Sequence, residues 1–193
     1  MKRYCLIGIK GIGKTSLIKS ILPEISHIDY LIGSSILRDL VGPNFNNFDY
    51  FPEDTKQYYR EQSILYMIER QKMNKKNILV DGHTSLYNPK TKKAEGVFTE
   101  LDCKFFTDFI LFEARPEVIL ERRKKDVKKE RILDIEIIKQ ELKVEREESH
   151  KISDMYDIKM HYLMDDGTKN IGPELLKMLR VNSQSDTNKS REQ

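Results

Sequence analysis

Gly8-Ile9-Lys10-Gly11-Ile12-Gly13-Lys14-Thr15 is the stretch of this chain whose residue types and spacing are most specific for chemistry. It fits G-x-x-x-x-G-K-[ST] in full, the pattern of a phosphate-binding loop. Glycines at 8, 11 and 13 let the backbone curl until successive N–H groups face one anion. A helix starting near Gly13, with Ser16 in its first turn, adds its positive end to the same spot. Gly8, Gly11, Ile12, Gly13, Lys14, Thr15 and Ser16 are therefore expected to hold ATP. Lys14 would reach the β- and γ-phosphates and act on the transferring group, and the Thr15 hydroxyl would ligate Mg²⁺. The plain alternative is a glycine-rich turn with a surface lysine. It does not account for the apolar strand Lys2–Ile7 before the loop, or for the helix Ser16–Leu22 that stops at Pro23.

Other groups fall where such a loop needs partners. Asp81 ends the hydrophobic run Asn77–Val80 and is expected to orient the Mg²⁺; a strand-ending Asp that caps the next turn is the alternative. His83, Thr84 and Ser85 follow at the mouth of the expected cleft, as donors to a second substrate or as ordinary turn residues. Arg38, one turn into a short helix, is read as a clamp on an acceptor phosphate, because a planar guanidinium suits bidentate contact. A solvated arginine is the alternative. Arg122, Arg123 and Arg131 lie in a basic run that is either a solvated face or a mobile segment. Phosphoryl transfer needs cations against spreading charge, so Arg123 and Arg131 are taken as catalytic, with Arg146 next.

The elements that must position these residues alternate. Strands are expected at 2–7, 27–32, 77–81, 109–113 and 158–164. Helices are expected at 16–22, 36–40, 53–73, 116–120, 134–155 and 173–179, the third with Tyr58, Ile64, Leu65, Met67 and Ile68 as its apolar stripe. Residues 42–47 and 82–100 read as loop and turn, and 182–193 as a polar disordered tail. This alternation predicts an α/β fold, three layers around a five-stranded parallel sheet, in one domain over 1–181. In such sheets ligands sit beyond the carboxyl ends of the strands, where the loop, Arg38 and Asp81 to His83 all fall.

Composition excludes several classes. The chain has 193 residues, 34 basic and 31 acidic, so its net charge of +3 is too balanced to argue for nucleic acid. Two cysteines, one in the first strand, suit a reducing compartment. No apolar run reaches the ~20 residues of a membrane span. The motif begins at residue 8, leaving no room for a signal peptide in this sequence, so a cytoplasmic protein is expected.

Taken together, the motifs resemble those of the nucleoside monophosphate kinases, most closely the archaeal-type adenylate kinases. The likeness runs from about Lys2 to Leu179. The loop matches that family's G-x-P-G-x-G-K-T except at Lys10, and Leu37-Arg38 is similar to its monophosphate-binding Leu-Arg pair. Asp81-Gly82-His83-Thr84-Ser85 and Asn88-Pro89-Lys90 resemble its Asp-Thr-His-Ser-Thr and Thr-Pro-Lys, and Arg122, Arg123, Asp126 and Arg131 its lid. Glu145-Arg146 stands where the family has Asn-Arg. The resemblance implies a short lid at about 122–135, a monophosphate-binding region at about 31–75, and phosphate transfer from ATP·Mg²⁺ to a nucleoside monophosphate. Two departures fall where the acceptor is recognised: no arginine in Asn47–Pro52, and no Gly/Pro-rich stretch at Thr91–Gly96. An ATP-hydrolysing switch acting on a protein or RNA, or a kinase of another small molecule or a polynucleotide end, are the competing readings.

Overall fold

The structure is a computed structural model and describes residues 1–88, 91–127 and 129–184. Five parallel strands form one sheet: β1 (Arg3–Ile7), β2 (Ile28–Ile32), β3 (Asn77–Asp81), β6 (Asp108–Ala114) and β7 (Lys159–Asp165), in the order β2-β3-β1-β6-β7. The three inner strands are almost wholly buried, as expected of a sheet covered on both faces. Their near-continuous apolar runs follow from that burial.

Helices α1 (Lys14–Ile21), α5 (Pro116–Lys125) and α7 (Gly172–Gln184) cover one face, where Ile18, Ile119 and Leu175 pack with Leu6, Leu79 and Ile110. The other face is covered by α2 (Gly33–Val41), α3 (Glu53–Asn74) and α4 (Glu100–Phe105), through Ile36, Ile64, Met67 and Cys103 against Ile7, Val80 and Phe109. Helix α6 (Ile135–Tyr156) joins the two cores, with Ile138 in the first and Ile152 in the second. Burial of this apolar surface, at roughly 25 cal/mol per Å², is the main force holding the layers together.

The three-layer fold and five parallel strands match the expectation, and several local details differ. Residues 82–100 are not simply turns: they hold an antiparallel hairpin, β4 (Ser85–Asn88) with β5 (Lys93–Gly96), and then the start of α4. A capping box fixes that helix start, Thr99 Oγ1 accepting from Asp102 N–H while Asp102 accepts from Thr99 N–H. On α3 the buried stripe is Lys56, Ser63, Ile64, Met67 and Gln71; Tyr58 and Leu65 are exposed, and Ile68 is partly buried. Residues 42–50 form successive 3₁₀ turns rather than an open loop. Helix α7 continues to Gln184, three residues into the expected tail, whose remainder lies outside the described residues. Pro89, Lys90 and Lys128 also lie outside them. Among the described residues no helix is long and apolar enough to cross a membrane.

Candidate active site

The phosphate loop leaves β1 at the carboxyl edge of the sheet and enters α1. Gly8, Gly11 and Gly13 all have positive φ, at 152°, 86° and 113°. A side chain is also excluded by crowding at two of them: a Cβ on Gly8 would meet Phe112 O at 2.6 Å, and one on Gly11 would meet Arg123 Cγ at 2.7 Å. The curl that the spacing predicts is therefore present.

Lys14 is 4 % exposed and folds back over the loop. Its Nζ donates to Gly8 O at 2.5 Å, lies 3.8 Å from Asp81 Oδ1 and 3.4 Å from His83 Nδ1. Burial lowers its pKa, while the carboxylates of Asp81 and Glu145 oppose that shift. Thr15 Oγ1 donates to Asp81 Oδ2 at 2.5 Å. Asp81 is held there by register: β3 pairs with β1 so that Leu6 faces Asp81, and Gly82 N–H donates to Leu6 O. His83 is pushed well below the usual histidine range by burial first, then by the charges of Lys14, Lys10 and Arg131. At neutral pH its imidazole is uncharged.

Thr84 and Ser85, expected to face a substrate, are buried at 0 % and 3 % exposure and bind a carboxylate instead. Glu145 on α6 is 1 % exposed and accepts four hydrogen bonds. Its Oε1 takes Gly8 N–H and Thr84 N–H at 3.0 Å each, and its Oε2 takes Ser85 N–H and Ser85 Oγ at 2.6 Å each. One side chain thus ties the first amide of the phosphate loop to the segment after β3.

The arginines of α5 are built into the same frame. Arg123, 3 % exposed, donates to Lys10 O from Nε and Nη2, to Ile132 O from Nη1, and to Glu141 Oε2 at 2.8 Å. Arg122 donates to Ile12 O and to Asp165 Oδ2, both at 2.5 Å. Both therefore spend their donors on loop carbonyls and acidic partners. Arg131 pairs with Asp126 at 2.9 Å, and its charge reaches Lys14 and His83. Arg146 pairs with Glu113 at 2.7 Å. Arg38 is exposed, with its guanidinium 4.8 Å over the Phe45 ring and no hydrogen bond or ion pair among the described residues. The structure therefore gathers Lys14, Thr15, Asp81 and His83 at one point, and leaves Arg38 on the α2 side with free donors.

Sequence reasoning missed Glu145 and Glu141 as frame residues. The signal was available: both lie on the stripe of α6 that carries Ile138, Ser149 and Ile152, and an acidic residue on a core-facing stripe calls for a buried partner.

A metal implied by such a loop fits the residues present. Thr15 and Asp81 offer two hard oxygen donors already held together, as Mg²⁺ requires when phosphates and water complete its shell. Among the described residues no group of three or more His, Cys, Asp or Glu could hold a metal by itself.

The sheet order and the loop define a P-loop protein with a kinase-like three-layer fold. The chain belongs to the AAA domain family, whose model matches residues 7–139. Among solved structures, shikimate kinase from Bacteroides thetaiotaomicron is similar in fold, with a TM-score of 0.55 at 14 % identity over 95 % of this chain and 98 % of that one. No curated protein matches the chain.

Proposed function

We propose that this protein is an ATP-dependent kinase that moves the γ-phosphoryl group of ATP·Mg²⁺ to a nucleoside monophosphate. The observation that carries the reading is the cluster of Lys14 and Thr15 on the curled loop with Asp81 at the end of β3, and Arg38 unpaired shortly after β2 in the chain. Bound Mg²⁺ would supply charge neutralisation across the phosphates. The chain's own residues do the rest. The loop amides and the start of α1 hold the β-phosphate, and Lys14 exchanges its bonds to loop carbonyls for phosphate oxygens. Neutral His83 takes a hydrogen bond from Lys14 without adding a competing charge. Arg38, with its guanidinium over the Phe45 ring, offers a planar fork to the acceptor phosphate.

Arg131 is the cation that closes on the transferring group, from the segment between α5 and α6, while Arg122 and Arg123 brace the loop. Catalysis is then positioning and electrostatics, with no side chain required as a base when the acceptor is a phosphate. The cytoplasm is the compartment that fits this substrate pair and two free, buried cysteines. A second reading, a kinase of a non-nucleotide hydroxyl compound, is favoured by the near full-length likeness to shikimate kinase.

Transfer from γ-labelled ATP to a panel of ribo- and deoxyribonucleoside monophosphates, with shikimate alongside, separates these readings. Label on at least one monophosphate is the expected result. Label on shikimate alone supports the second reading, and phosphate release with no labelled acceptor overturns both.

A further inference from the structure

Phenylalanines recur at every third position between α2 and α3: Phe45, Phe48 and Phe51. That spacing is the repeat of a 3₁₀ helix, in which side chains at i and i+3 stand one above the other. The chain takes this form over the nine residues Gly42–Tyr50, a longer run than such helices usually make. The rings line up accordingly. Phe45 stacks on Phe48, with centroids 6.1 Å and planes 16° apart, and Phe48 meets Phe51 at 5.6 Å. Tyr59 of α3 stands edge-on to Phe48 at 6.3 Å, and Phe48 itself is buried. The row is therefore anchored at its middle, while Phe45 at its end is half-exposed.

Arg38 stands at that end. Gly42 closes α2 in the left-handed region, at φ 70°, and gives its N–H to Arg38 O, turning the chain toward the aromatic row. The guanidinium carbon of Arg38 lies 4.8 Å from the centre of the Phe45 ring, within reach of a cation–ring attraction. Asp39 is its neighbour in the chain and Asp49 lies in the 3₁₀ segment, yet among the described residues neither pairs with it. Arg60, Arg70, Arg122, Arg123, Arg131 and Arg146 each bind a carboxylate instead. A carboxylate takes up N–H donors; a ring attracts the cation through its face and leaves them unspent. Leucine would fill a half-exposed site as well as phenylalanine does, but it has no such face.

We propose that Phe45 is a positioning residue for the acceptor: its ring, stacked on Phe48, holds the Arg38 guanidinium in place with its donors free for an incoming phosphate. The proposal rests on the kinase reading above, and concerns how the acceptor clamp of that reading is kept ready. Ordering a long cationic side chain before the substrate arrives removes a cost that binding would otherwise bear. It differs from a packing role in what it spares, since ATP binding should not depend on it.

The test is initial-rate kinetics with γ-labelled ATP and with AMP, CMP, GMP, UMP and dTMP as acceptors. Phe45→Leu and Phe45→Met remove the ring face and keep apolar bulk, so that a folded variant, checked by circular dichroism, enters the comparison. Either should raise the KM of the monophosphate that wild type labels by about three- to tenfold, the range of one cation–ring contact, with the KM for ATP unchanged. Phe45→Tyr keeps the ring face and should keep the acceptor KM. In an Arg38→Ala background, Phe45→Leu should have no further effect on that KM. An unchanged acceptor KM, an equal rise for ATP, failure of Phe45→Tyr to rescue, or a full effect without Arg38 each overturns the proposal and makes Phe45 a packing residue. Labelled monophosphate leaves the kinase reading standing in every one of those cases. A wild-type protein that labels none of the five overturns the assignment of Arg38 to an acceptor phosphate, and the proposal with it.

Discussion

Replacing Glu145 is the perturbation whose size can be worked most fully from the structure. Its carboxylate accepts from Gly8 N–H, Thr84 N–H, Ser85 N–H and Ser85 Oγ, and all four donors belong to buried residues. In Glu145→Ala three backbone amides lose their partner, since only the Ser85 hydroxyl can rotate to another acceptor. A buried donor left unpaired costs ~1–3 kcal/mol, so the low end per amide gives a total of ~3–5 kcal/mol. For a chain of 193 residues that corresponds to a fall in Tm of roughly 6–20 °C.

Glu145→Gln keeps one oxygen and turns an NH₂ toward the other two donors, so it should lose ~2–3 kcal/mol. Urea denaturation followed by circular dichroism gives the stability, and the Tm shift on adding ADP and Mg²⁺ reports the loop. Both variants should also bind nucleotide more weakly than wild type, because Gly8 N–H opens the phosphate loop. A Glu145→Ala protein within ~0.5 kcal/mol of wild type would refute the stability reasoning. A clear stability loss with an unchanged nucleotide response would show that Glu145 braces the fold without setting the loop.

Other perturbations follow from the same geometry. Lys14→Ala should keep the circular dichroism of wild type and lose turnover by about 10²–10³-fold, as removal of one preorganised donor does; full activity in a folded variant would exclude Lys14 from the transfer step. Arg38→Ala should raise the KM for a monophosphate acceptor by about 10–100-fold, the worth of a charge-assisted pair, without changing the Tm shift caused by ATP; an equal loss for donor and acceptor would move Arg38 away from acceptor binding. His83 has a folded pKa below its ordinary 6.5, so the unfolded chain binds its proton first and stability falls as pH drops below that value. Asp102 is raised from 3.8 to about 6 and works in the opposite direction over that interval, so the readout is the difference between wild type and His83→Asn in urea midpoint. That difference should turn against wild type between pH 7.5 and 5.5, and parallel pH profiles would contradict the assignment.

What the sequence made legible was set by locality. The loop could be read because its glycines, lysine and threonine are neighbours in the chain, and the sheet because each of its strands is an apolar run between helices. The hairpin of β4 and β5 was not legible: Lys93 and Gly96 are exposed and the two strands hold only four residues each, so no alternating pattern stands out. The α4 start carried a readable signal in Thr99 and Asp102, with Asp in the place usually taken by Glu or Gln.

Arg123 shows a different limit. Its type and place in a basic run are right for a catalytic cation, yet its partners are Lys10 O, Ile132 O and Glu141, brought together only by folding. Nothing near Arg123 in the chain announces that it turns inward. Tyr58 and Leu65 failed for a related reason, since the apolar stripe of α3 is set by α2, α4 and the sheet rather than by hydrophobicity alone.

The most direct test of the central claim is a crystal structure with Mg²⁺ and a non-hydrolysable ATP analogue. The account predicts the β- and γ-phosphates in the amide nest of residues 8–15, Lys14 Nζ moved from Gly8 O onto phosphate oxygens, and the cation bound at Thr15 beside Asp81. A nucleotide bound elsewhere, or in the nest with Lys14 still bonded to Gly8 O and no metal at Thr15, would contradict it.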